Sequence, residues 1–251
     1  MTAVDVVILT WNDDPVLVDA AVASAIDSEL PGDVSVVVVD NASTLPYSGI
    51  ADHRVRVIRA ATNLGVGGGR NFGIAYGEAP LVCILDSDAS LRPDCLAALV
   101  AELDRVGDVG LAAPVFVDQA PQASAGRAPG VVRKLLRATN HTDHYASSPG
   151  QGTGTAWDVD FAIGACQVFR RSAFDAVGGI DSSAQFGPED VDFCLRLRAH
   201  GWRVRQVASA TCEHPPRRAF RGLASRRGMR HSVAVVRHLW WHRTRRVVAT
   251  R

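Results

Sequence analysis

Four short apolar runs that alternate with helix-like segments constrain the fold of this chain more than any other feature. The runs are "VDVVIL" (4–9), "VSVVVV" (34–39), "RVRVI" (54–58) and "LVCIL" (81–85). Strands that alternate with helical patterns are typical of βαβ units, in which helices cover the faces of a parallel sheet. We therefore predict an α/β fold with a Rossmann-like, mostly parallel sheet flanked by helices.

Helical spacing and boundary residues indicate the first helices. "PVLVDAAVASAIDS" lies between the first two runs, with Pro15 suited to a first turn and Asp13 or Asp14 to the N-cap. A second helix is predicted in "PDCLAALVAEL" (93–103), where apolar residues recur at intervals of three and four. Residues 118–155 are rich in Ala, Gly, Ser and Pro, and this composition indicates a loop or mobile insertion over a site.

Length and composition exclude several classes of protein. A chain of 251 residues with 47% hydrophobic content can bury a real core. No run of about eighteen uncharged apolar residues occurs, and no basic region precedes the first apolar stretch, so we expect a cytoplasmic protein. The five cysteines are odd in number and form no CxxC motif, which argues against a disulfide framework or a zinc knuckle. We expect most of them to be small buried hydrophobic residues.

Charge is distributed unevenly although the formal net charge is only +1. Residues 214–251 contain eleven arginines and no acid, so this segment carries about +11 and the preceding chain about −10. From Met229 onward, Val233, Val236 and Trp240 share one helical stripe and arginines occupy another face. Such a basic amphipathic helix suits an anionic membrane surface, and packing of the stripe on the acidic body is the alternative. No nucleic-acid partner is expected, because the acidic body would repel it.

Polar residues collect where the predicted strands end, which is where an open parallel sheet binds ligands. "TWN" follows the first strand, "DNAS" the second and "DSD" the fourth. A dehydrogenase would need a glycine fingerprint in the first βα turn, and "LTWNDDP" has no glycine. The later run "NLGVGGGRN" (63–71) fails the GxGxxG pattern because Arg70 stands where the third glycine would be. A nicotinamide cofactor is therefore not expected.

The aspartates of "DSD" form the first of two carboxylate pairs. Asp86 and Asp88 stand two residues apart, so at an extended strand end both project to the same side and can serve one ligand. A nucleotide diphosphate needs a hard cation, and Mg²⁺ takes carboxylate and phosphate oxygens. The alternative is that these residues only cap the next helix and form a turn.

The second pair, Glu189 and Asp190, opens a predicted helix that Gly201 terminates. Acids in a first turn are ordinary complements of the helix dipole, and the same position favours the ionised form that accepts a proton. The pair is therefore a candidate base or a dipole complement. Asp192 and Arg196, one turn apart, are expected to pair on the helix surface.

Seven motifs in order give the chain a family resemblance. They are "VVILTWN", "VVVVDNAS", "NLGVGGGRNFGI", "ILDSDAS", "GACQVFRR", "GPEDVDFCLRLRAHGW" and "EHP". Together they span residues 4–215, and the set resembles the family 2 glycosyltransferases, which are inverting nucleotide-sugar enzymes of the GT-A fold. The nearest similarity is to the bacterial rhamnosyltransferase-like branch, which builds cell-surface or polyprenol-linked glycans.

The resemblance implies a role for each matching residue. Asp86 would face the ribose and, with Asp88 and His214, hold Mg²⁺ or Mn²⁺. Asp190 would be the catalytic base, and Glu189 would orient the acceptor or the loop. The implied nucleotide-sugar contacts are Thr10, Asn12, Asp40, Asn63, Arg70, Asn71, Asp86 and Ser87. The implied acceptor contacts are Trp157, Asp160, Gly164 and Ala165.

Several of these residues have a simpler interpretation that the sequence leaves open. Asp40 suits an Asx turn as well as a contact with a base or ribose. Arg70 suits either a phosphate contact or a surface ion pair. Trp157 suits a core position, and His214 suits a structural one.

The implied reaction is a single displacement with inversion, from a UDP- or dTDP-linked sugar to a hydroxyl of a glycan, lipid-linked or small-molecule acceptor. We expect a glycosyltransferase domain over residues 1–215, with a nucleotide half over about 1–115 and an acceptor half over about 116–215. Residues 216–251 would form a basic helical tail, which offers peripheral attachment to the inner face of the cell membrane.

Two other classes of protein remain as alternatives. A sugar-phosphate nucleotidyltransferase has a similar fold, but it would need a Gly-rich loop with Arg and Lys where this chain has "TWNDDP". A catalytically inactive sugar-nucleotide-binding protein would keep the motif spacing. Both carboxylate pairs are intact, which disfavours that second alternative.

Overall fold

A mixed sheet covered by helices forms the described part of the chain. The computed structural model describes residues 3–117, 124–126, 155–183 and 189–215. Its strands are β1 (Val4–Thr10), β2 (Val34–Asp40), β3 (Val55–Arg59), β4 (Leu81–Asp86), β5 (Ser90–Leu91), β6 (Val109–Phe116), β7 (Ala125–Gly126), β8 (Ala156–Asp158), β9 (Phe161–Ala162), β10 (Cys166–Arg170) and β11 (Arg203–Glu213). Its helices are α1 (Pro15–Ile26), α2 (Gly65–Ile74), α3 (Cys95–Arg105), α4 (Arg171–Ala176) and α5 (Glu189–Ala199).

Within these residues nine strands form one sheet in the order β3-β2-β1-β4-β10-β6-β11-β5, with β8 also paired to β11. Strands β1 to β4, β6 and β11 run in one direction, and β5, β8 and β10 run against them. Strands β7 and β9 form a separate antiparallel ribbon. The predicted α/β fold, with a mostly parallel sheet flanked by helices, is confirmed, and the four predicted strands are β1 to β4.

Helix α1 begins where the sequence predicts. Asp14 is the N-cap, because its Oδ1 accepts a hydrogen bond from the Val16 amide at 3.0 Å, and Pro15 opens the first turn. Of the two candidate caps, Asp14 fills the role, and Asp13 contacts the turn after β4 instead. The buried side chains of this helix are Val18, Ala21, Val22 and Ala25.

Helix α2 contains the glycine-rich run, and its glycines let it lie directly on the sheet. A Cβ on Gly73 would lie 2.5 Å from Cγ1 of Val7 and 2.6 Å from Cγ2 of Val39. A Cβ on Gly69 would collide with Leu9 in the same way. These glycines therefore allow α2 to approach β1 and β2 closely.

The core lies on both faces of the sheet in two apolar clusters. Val6 and Ile8 of β1 belong to the cluster that α1 and α3 cover, and Val7 belongs to the cluster on the other face. Alternation along one strand therefore supplies both clusters, as a sheet with two covered faces requires. All five cysteines are buried free thiols, with Cys83, Cys95, Cys166 and Cys212 in the first cluster and Cys194 in the second.

Some sequence predictions fall outside the described residues. Of the predicted loop over 118–155, residues 125 and 126 form β7, which pairs with β9, and most of the rest is not described. The basic tail (216–251) and the turn before α5 (184–188) also lie outside. The proposed division into domains stays a prediction. None of the described helices is long and apolar enough to cross a membrane.

Replacing Gly73 by alanine is expected to lower the free energy of unfolding by about 1–3 kcal/mol, because the added methyl group must displace the stiff, β-branched side chains of Val7 and Val39. Urea denaturation followed by circular dichroism measures the change. Gly107→Ala is the control, since a Cβ there meets nothing within 4 Å, and its effect should stay below about 0.5 kcal/mol. Equal stability of the two variants would contradict tight seating of α2.

Candidate active site

The "DSD" motif follows β4, and the sheet brings a histidine from the other end of the described chain beside it. Strand β5 pairs with the end of β11, with Ser90 opposite Glu213, so the next residue reaches the turn after β4. Nε2 of His214 lies 3.9 Å from Oδ2 of Asp86. The same nitrogen lies 3.7 Å from Oδ1 of Asp88.

These three side chains are suited to a divalent cation. Among the described residues, Asp86, Asp88 and His214 form a group whose ligand atoms all lie within 4.8 Å of one another. Two carboxylates and an imidazole suit Mn²⁺, and the carboxylate oxygens suit Mg²⁺. The Asp86 side chain is 35% exposed, so a phosphate can reach it. The residues therefore fit the predicted metal.

The loop after β1 is tied to the "DSD" turn by Asp13, which the sequence indicated only as a candidate cap. Oδ2 of Asp13 accepts hydrogen bonds from Oγ of Ser87 at 2.7 Å, from the Trp11 amide at 3.2 Å and from Oγ1 of Thr10 at 3.3 Å. Thr10 and Ser87, both predicted nucleotide contacts, are thus joined through one carboxylate. The sequence carries no signal for this role, because the contact with Ser87 spans 74 residues.

Asp40 ends β2 and is enclosed by the loop that follows. Its carboxylate accepts hydrogen bonds from the amides of Ser43 at 2.8 Å and Tyr47 at 3.3 Å, and from the Arg59 guanidinium. Burial alone would raise the pKa of Asp40, but these hydrogen bonds outweigh it and hold the pKa below its ordinary value. The structure shows the turn-forming role, and contact with a base or ribose stays a prediction.

Three predicted nucleotide contacts are asparagines that the chain itself engages. Asn12 has a φ of 55°, and its Oδ1 accepts a hydrogen bond from the Thr44 amide at 2.7 Å. Oδ1 of Asn63 accepts one at 2.8 Å from the first amide of α2. The Asn71 side chain exchanges two hydrogen bonds with the backbone of Ile180, at 2.7 and 3.0 Å. These bonds fix the loops around the site, and direct nucleotide contact stays a prediction.

Arg70 is buried at the centre of the site. Its side chain is only 4% exposed. Its guanidinium donates to Oδ1 of Asp86 and to the Gly164 carbonyl, both at 2.8 Å, and to Oε1 of Glu189 at 3.1 Å. One sequence alternative was a surface ion pair. The ion pair is present but buried, because residues from three segments of the chain surround it.

The second acid pair begins α5 and faces the same arginine. Oδ2 of Asp190 accepts a hydrogen bond from the Gly164 amide at 3.1 Å, and Oδ1 accepts one from the Val191 amide at 2.7 Å. The Glu189 side chain is 10% exposed, and within the described residues its Oε2 has no hydrogen-bond partner. Burial and repulsion from Asp190 raise the pKa of Glu189 to about 7, against the opposing charge of Arg70.

Two of the predicted acceptor residues line this centre. Gly164 lies between Arg70 and Asp190. Its carbonyl accepts a hydrogen bond from Arg70, and its amide donates one to Asp190. A Cβ on Gly164 would lie 2.8 Å from Nη1 of Arg70 and 3.2 Å from Cβ of Asp190, so a larger residue would displace the Arg70 guanidinium. The Ala165 carbonyl accepts a hydrogen bond from the Asp86 amide at 2.9 Å.

The other two predicted acceptor residues have partners elsewhere in the fold. Trp157 is half-buried and packs against the hydrophobic core, and Asp160 forms an ion pair with Arg198 of α5. The expected pair of Asp192 and Arg196 is present at 2.6 Å, but it is not on the helix surface. The two side chains are only 5% and 14% exposed, because this face of α5 packs on the sheet.

The sheet carries a cation-suited group and a second acid pair near the ends of its strands. The sequence resemblance implied this arrangement for a glycosyltransferase. The sequence profile of the family described as "Glycosyl transferase family 2" matches residues 5–178. The chain therefore belongs to glycosyl transferase family 2, as its motifs predicted.

A curated relative is similar over nearly the whole chain. N-acetylglucosaminyl-diphospho-decaprenol L-rhamnosyltransferase from Mycobacterium tuberculosis (strain ATCC 25618 / H37Rv) is 28% identical over 267 residues. The similarity covers 95% of this chain and 86% of the relative. This similarity agrees with the predicted resemblance to the rhamnosyltransferase-like branch.

Solved structures share the fold. A mannosyltransferase from Pyrobaculum calidifontis, in complex with GDP-Man and Mn²⁺, superposes with a TM-score of 0.62 at 21% identity over 86% of this chain. GalNAc-T7 with UDP, GalNAc and Mn²⁺ superposes with a TM-score of 0.68 at 17% identity over 90% of this chain. This chain spans 58% and 46% of those two chains, about half of each. At such identities the similarity shows the fold alone, and it confirms the predicted GT-A fold.

The raised pKa of Glu189 predicts a pH-dependent stability. Between about pH 4.5 and pH 7, folding takes up a proton at the Glu189 side chain. The stabilising contribution of this side chain to the free energy of unfolding is therefore fully present below about pH 4.5 and is lost as the pH rises through about 7. In Glu189→Gln this pH-dependent loss in the free energy of unfolding, which is up to about 3 kcal/mol in the wild type, should disappear. Urea midpoints across this pH range measure the effect. Glu78→Gln, at an exposed position, is the control and should keep the wild-type dependence of stability on pH. If Glu189→Gln also kept that dependence, the raised pKa could not be assigned to Glu189.

Proposed function

We propose that this chain is an inverting glycosyltransferase that moves a sugar from a UDP- or dTDP-linked donor to an acceptor hydroxyl. One observation carries the proposal: a cation-suited group and an acid pair able to accept a proton meet at one edge of the sheet around Arg70. A single displacement needs a base beside the attacking hydroxyl and charge stabilisation at the departing diphosphate. This edge offers both.

Asp190 is the base in this mechanism. It accepts the proton of the acceptor hydroxyl while that oxygen bonds to the anomeric carbon and the bond from this carbon to the diphosphate oxygen breaks. The amides of Gly164 and Val191 hold one oxygen each of the Asp190 carboxylate, so its orientation is fixed before the acceptor arrives. Glu189, its neighbour, orients the acceptor or the loop beside it.

The donor side of the mechanism uses the strand ends. Asp86, Asp88 and His214 would hold Mg²⁺ or Mn²⁺, which when bound offsets the negative charge of the departing diphosphate. The two similar solved structures contain Mn²⁺, which supports this part of the proposal. Thr10 and Ser87, joined through a shared carboxylate beside these ligands, would contact the nucleotide.

The acceptor is proposed to be a polyprenol-linked glycan precursor. The name of the Mycobacterium tuberculosis relative contains a decaprenol diphosphate acceptor and a rhamnosyl group, and its similarity extends over 95% of this chain. A nucleotide half over about 1–115 and an acceptor half over about 116–215 would then meet at the buried arginine. Gly164, whose amide donates to Oδ2 of Asp190, would lie beside the acceptor hydroxyl.

The nucleotidyltransferase alternative has less support. It would need basic residues and glycines in the turn after β1, where the structure has the Asp14 cap and Pro15 at the start of α1. An inactive sugar-nucleotide-binding protein would also retain the cation-suited group. A measurement of turnover in a variant of the proposed base separates that alternative from an enzyme.

Asp190→Asn is expected to lower sugar transfer by about 10²- to 10⁴-fold, since it removes the proton acceptor and keeps the shape of the side chain. A mass-spectrometric screen of UDP-, dTDP- and GDP-sugars with Mn²⁺ first identifies the donor for the wild-type protein. Titration calorimetry with UDP should then give similar affinities for the variant and the wild type. Asp175→Asn, at an exposed position on α4, is the matched control and should transfer at the wild-type rate.

Retained transfer in Asp190→Asn would remove Asp190 as the base. Absence of transfer or hydrolysis of any donor by the wild-type protein would argue against the enzyme and for the binding protein.

We further propose that residues 216–251 dock the enzyme on the inner face of an anionic membrane, where a polyprenol-linked acceptor would lie. The support is the sequence alone: eleven arginines without an acid, beside one apolar stripe that ends at Trp240. Each basic residue near an anionic surface contributes about 1 kcal/mol, so several suffice for reversible attachment.

The full chain is expected to sediment with anionic liposomes and not with zwitterionic ones, and added salt should weaken the binding. Removal of residues 226–251 should also weaken it. Equal recovery of the full chain in the supernatant with both lipids would refute the membrane role and favour a soluble acceptor.

A further inference from the structure

We propose that Arg70 is a positioning residue: it orients Asp86 toward the cation and fixes the position of Asp86 relative to Glu189 on α5. The inference rests on the proposed function, because it assumes that Asp86 helps to bind the cation. It replaces a direct contact between Arg70 and a donor phosphate, which the sequence also allowed.

The two oxygens of Asp86 face different partners. Oδ1 accepts a hydrogen bond from Nη2 of Arg70 at 2.8 Å, whereas Oδ2 lies 3.9 Å from Nε2 of His214. An arginine on one oxygen fixes the orientation of the carboxylate and leaves the other oxygen for the cation. Loss of a partner that holds a metal ligand from behind commonly lowers metal affinity or activity by about 10- to 100-fold.

Arg70 has little room for a phosphate. Nη2 donates to both Asp86 and the Gly164 carbonyl, and Nη1 donates to Glu189 at 3.1 Å, so both ends of the planar guanidinium are used. Its side chain is 4% exposed, against 35% for Asp86. A diphosphate that approaches from solvent therefore meets Asp86 and not Arg70.

The charge balance supports the same role. Three acids surround the buried guanidinium of Arg70, which carries a permanent positive charge. They are Asp86, Glu189 and Asp190. Without the guanidinium these acids would repel one another in a poorly solvated site, and Asp86 would be free to turn away from the cation position.

The test is Mn²⁺ binding to the full chain in the presence of UDP, followed by electron paramagnetic resonance, which requires no sugar transfer. We expect Arg70→Met to weaken Mn²⁺ affinity by about 10- to 100-fold. Arg70→Lys should recover part of this loss, because lysine keeps the charge but lacks the planar fork. Glu189→Gln should have a smaller effect than either, because Asp86 keeps its arginine.

Arg171→Met is the matched control. It removes another ion pair of low exposure, with Asp5 at 2.7 Å near the start of β1, so it tests whether loss of any such pair disturbs the site. Its Mn²⁺ affinity should equal that of the wild type. Thermal unfolding shows whether each variant is folded. If Arg70→Met is not folded, Arg70→Lys is compared with the wild type instead.

Titration of UDP alone in EDTA separates positioning from phosphate contact. Equal UDP affinity of the wild type and Arg70→Met in EDTA supports positioning. A large loss in EDTA would make Arg70 a phosphate ligand and overturn the inference, as would unchanged Mn²⁺ affinity in Arg70→Met. Failure of the wild-type protein to bind Mn²⁺ with UDP would instead overturn the cation part of the proposed function, and the inference with it.

Discussion

One buried guanidinium, that of Arg70, is the interaction on which the arrangement of the site depends. A buried cation is tolerated only when acids and carbonyls surround it, since desolvation of an unpaired charge costs several kcal/mol. Its partners come from the end of β4, the segment before β10 and the start of α5, which lie 16, 94 and 119 residues away in sequence. An arginine cannot shed its proton to escape this environment, so the three segments must converge on it.

Arg70 reaches this point only because α2 lies close to the sheet. Glycine is a poor helix former, about 1 kcal/mol less favourable per residue than alanine, and α2 contains five glycines. The cost is accepted because any side chain at Gly69 or Gly73 would collide with Leu9, Val7 or Val39 and push the helix outward. The glycine-rich run, which fails the GxGxxG pattern, is therefore a packing surface, and Arg70, the first polar residue of α2, supplies the central positive charge.

Local features of the fold were predictable, and the partners within the site were not. Strands β1 to β4 follow from apolar runs, and the cap at Asp14 and the start of α5 follow from signals within a few residues. The roles of Asp13 and Arg70 depend on contacts across 74 and up to 119 residues, which no local pattern records. The sequence indicated both acid pairs as separate motifs, and it carried no sign that one arginine joins them.

The cation-suited group is completed where β11 and β5 end the strand order of the sheet. Asp86 and Asp88 follow the fourth strand, whereas His214 follows the eleventh, and the pairings of β11 with β5 and β6 bring them together. A pairing of such high sequence separation is costly to form, because loop entropy must be lost before the contacts are gained. A cation that binds all three side chains therefore binds the folded chain far better than the unfolded one, and it links the middle of the sheet to its edge. The cation that the proposed reaction needs would thus also stabilise the pairing that creates its own site.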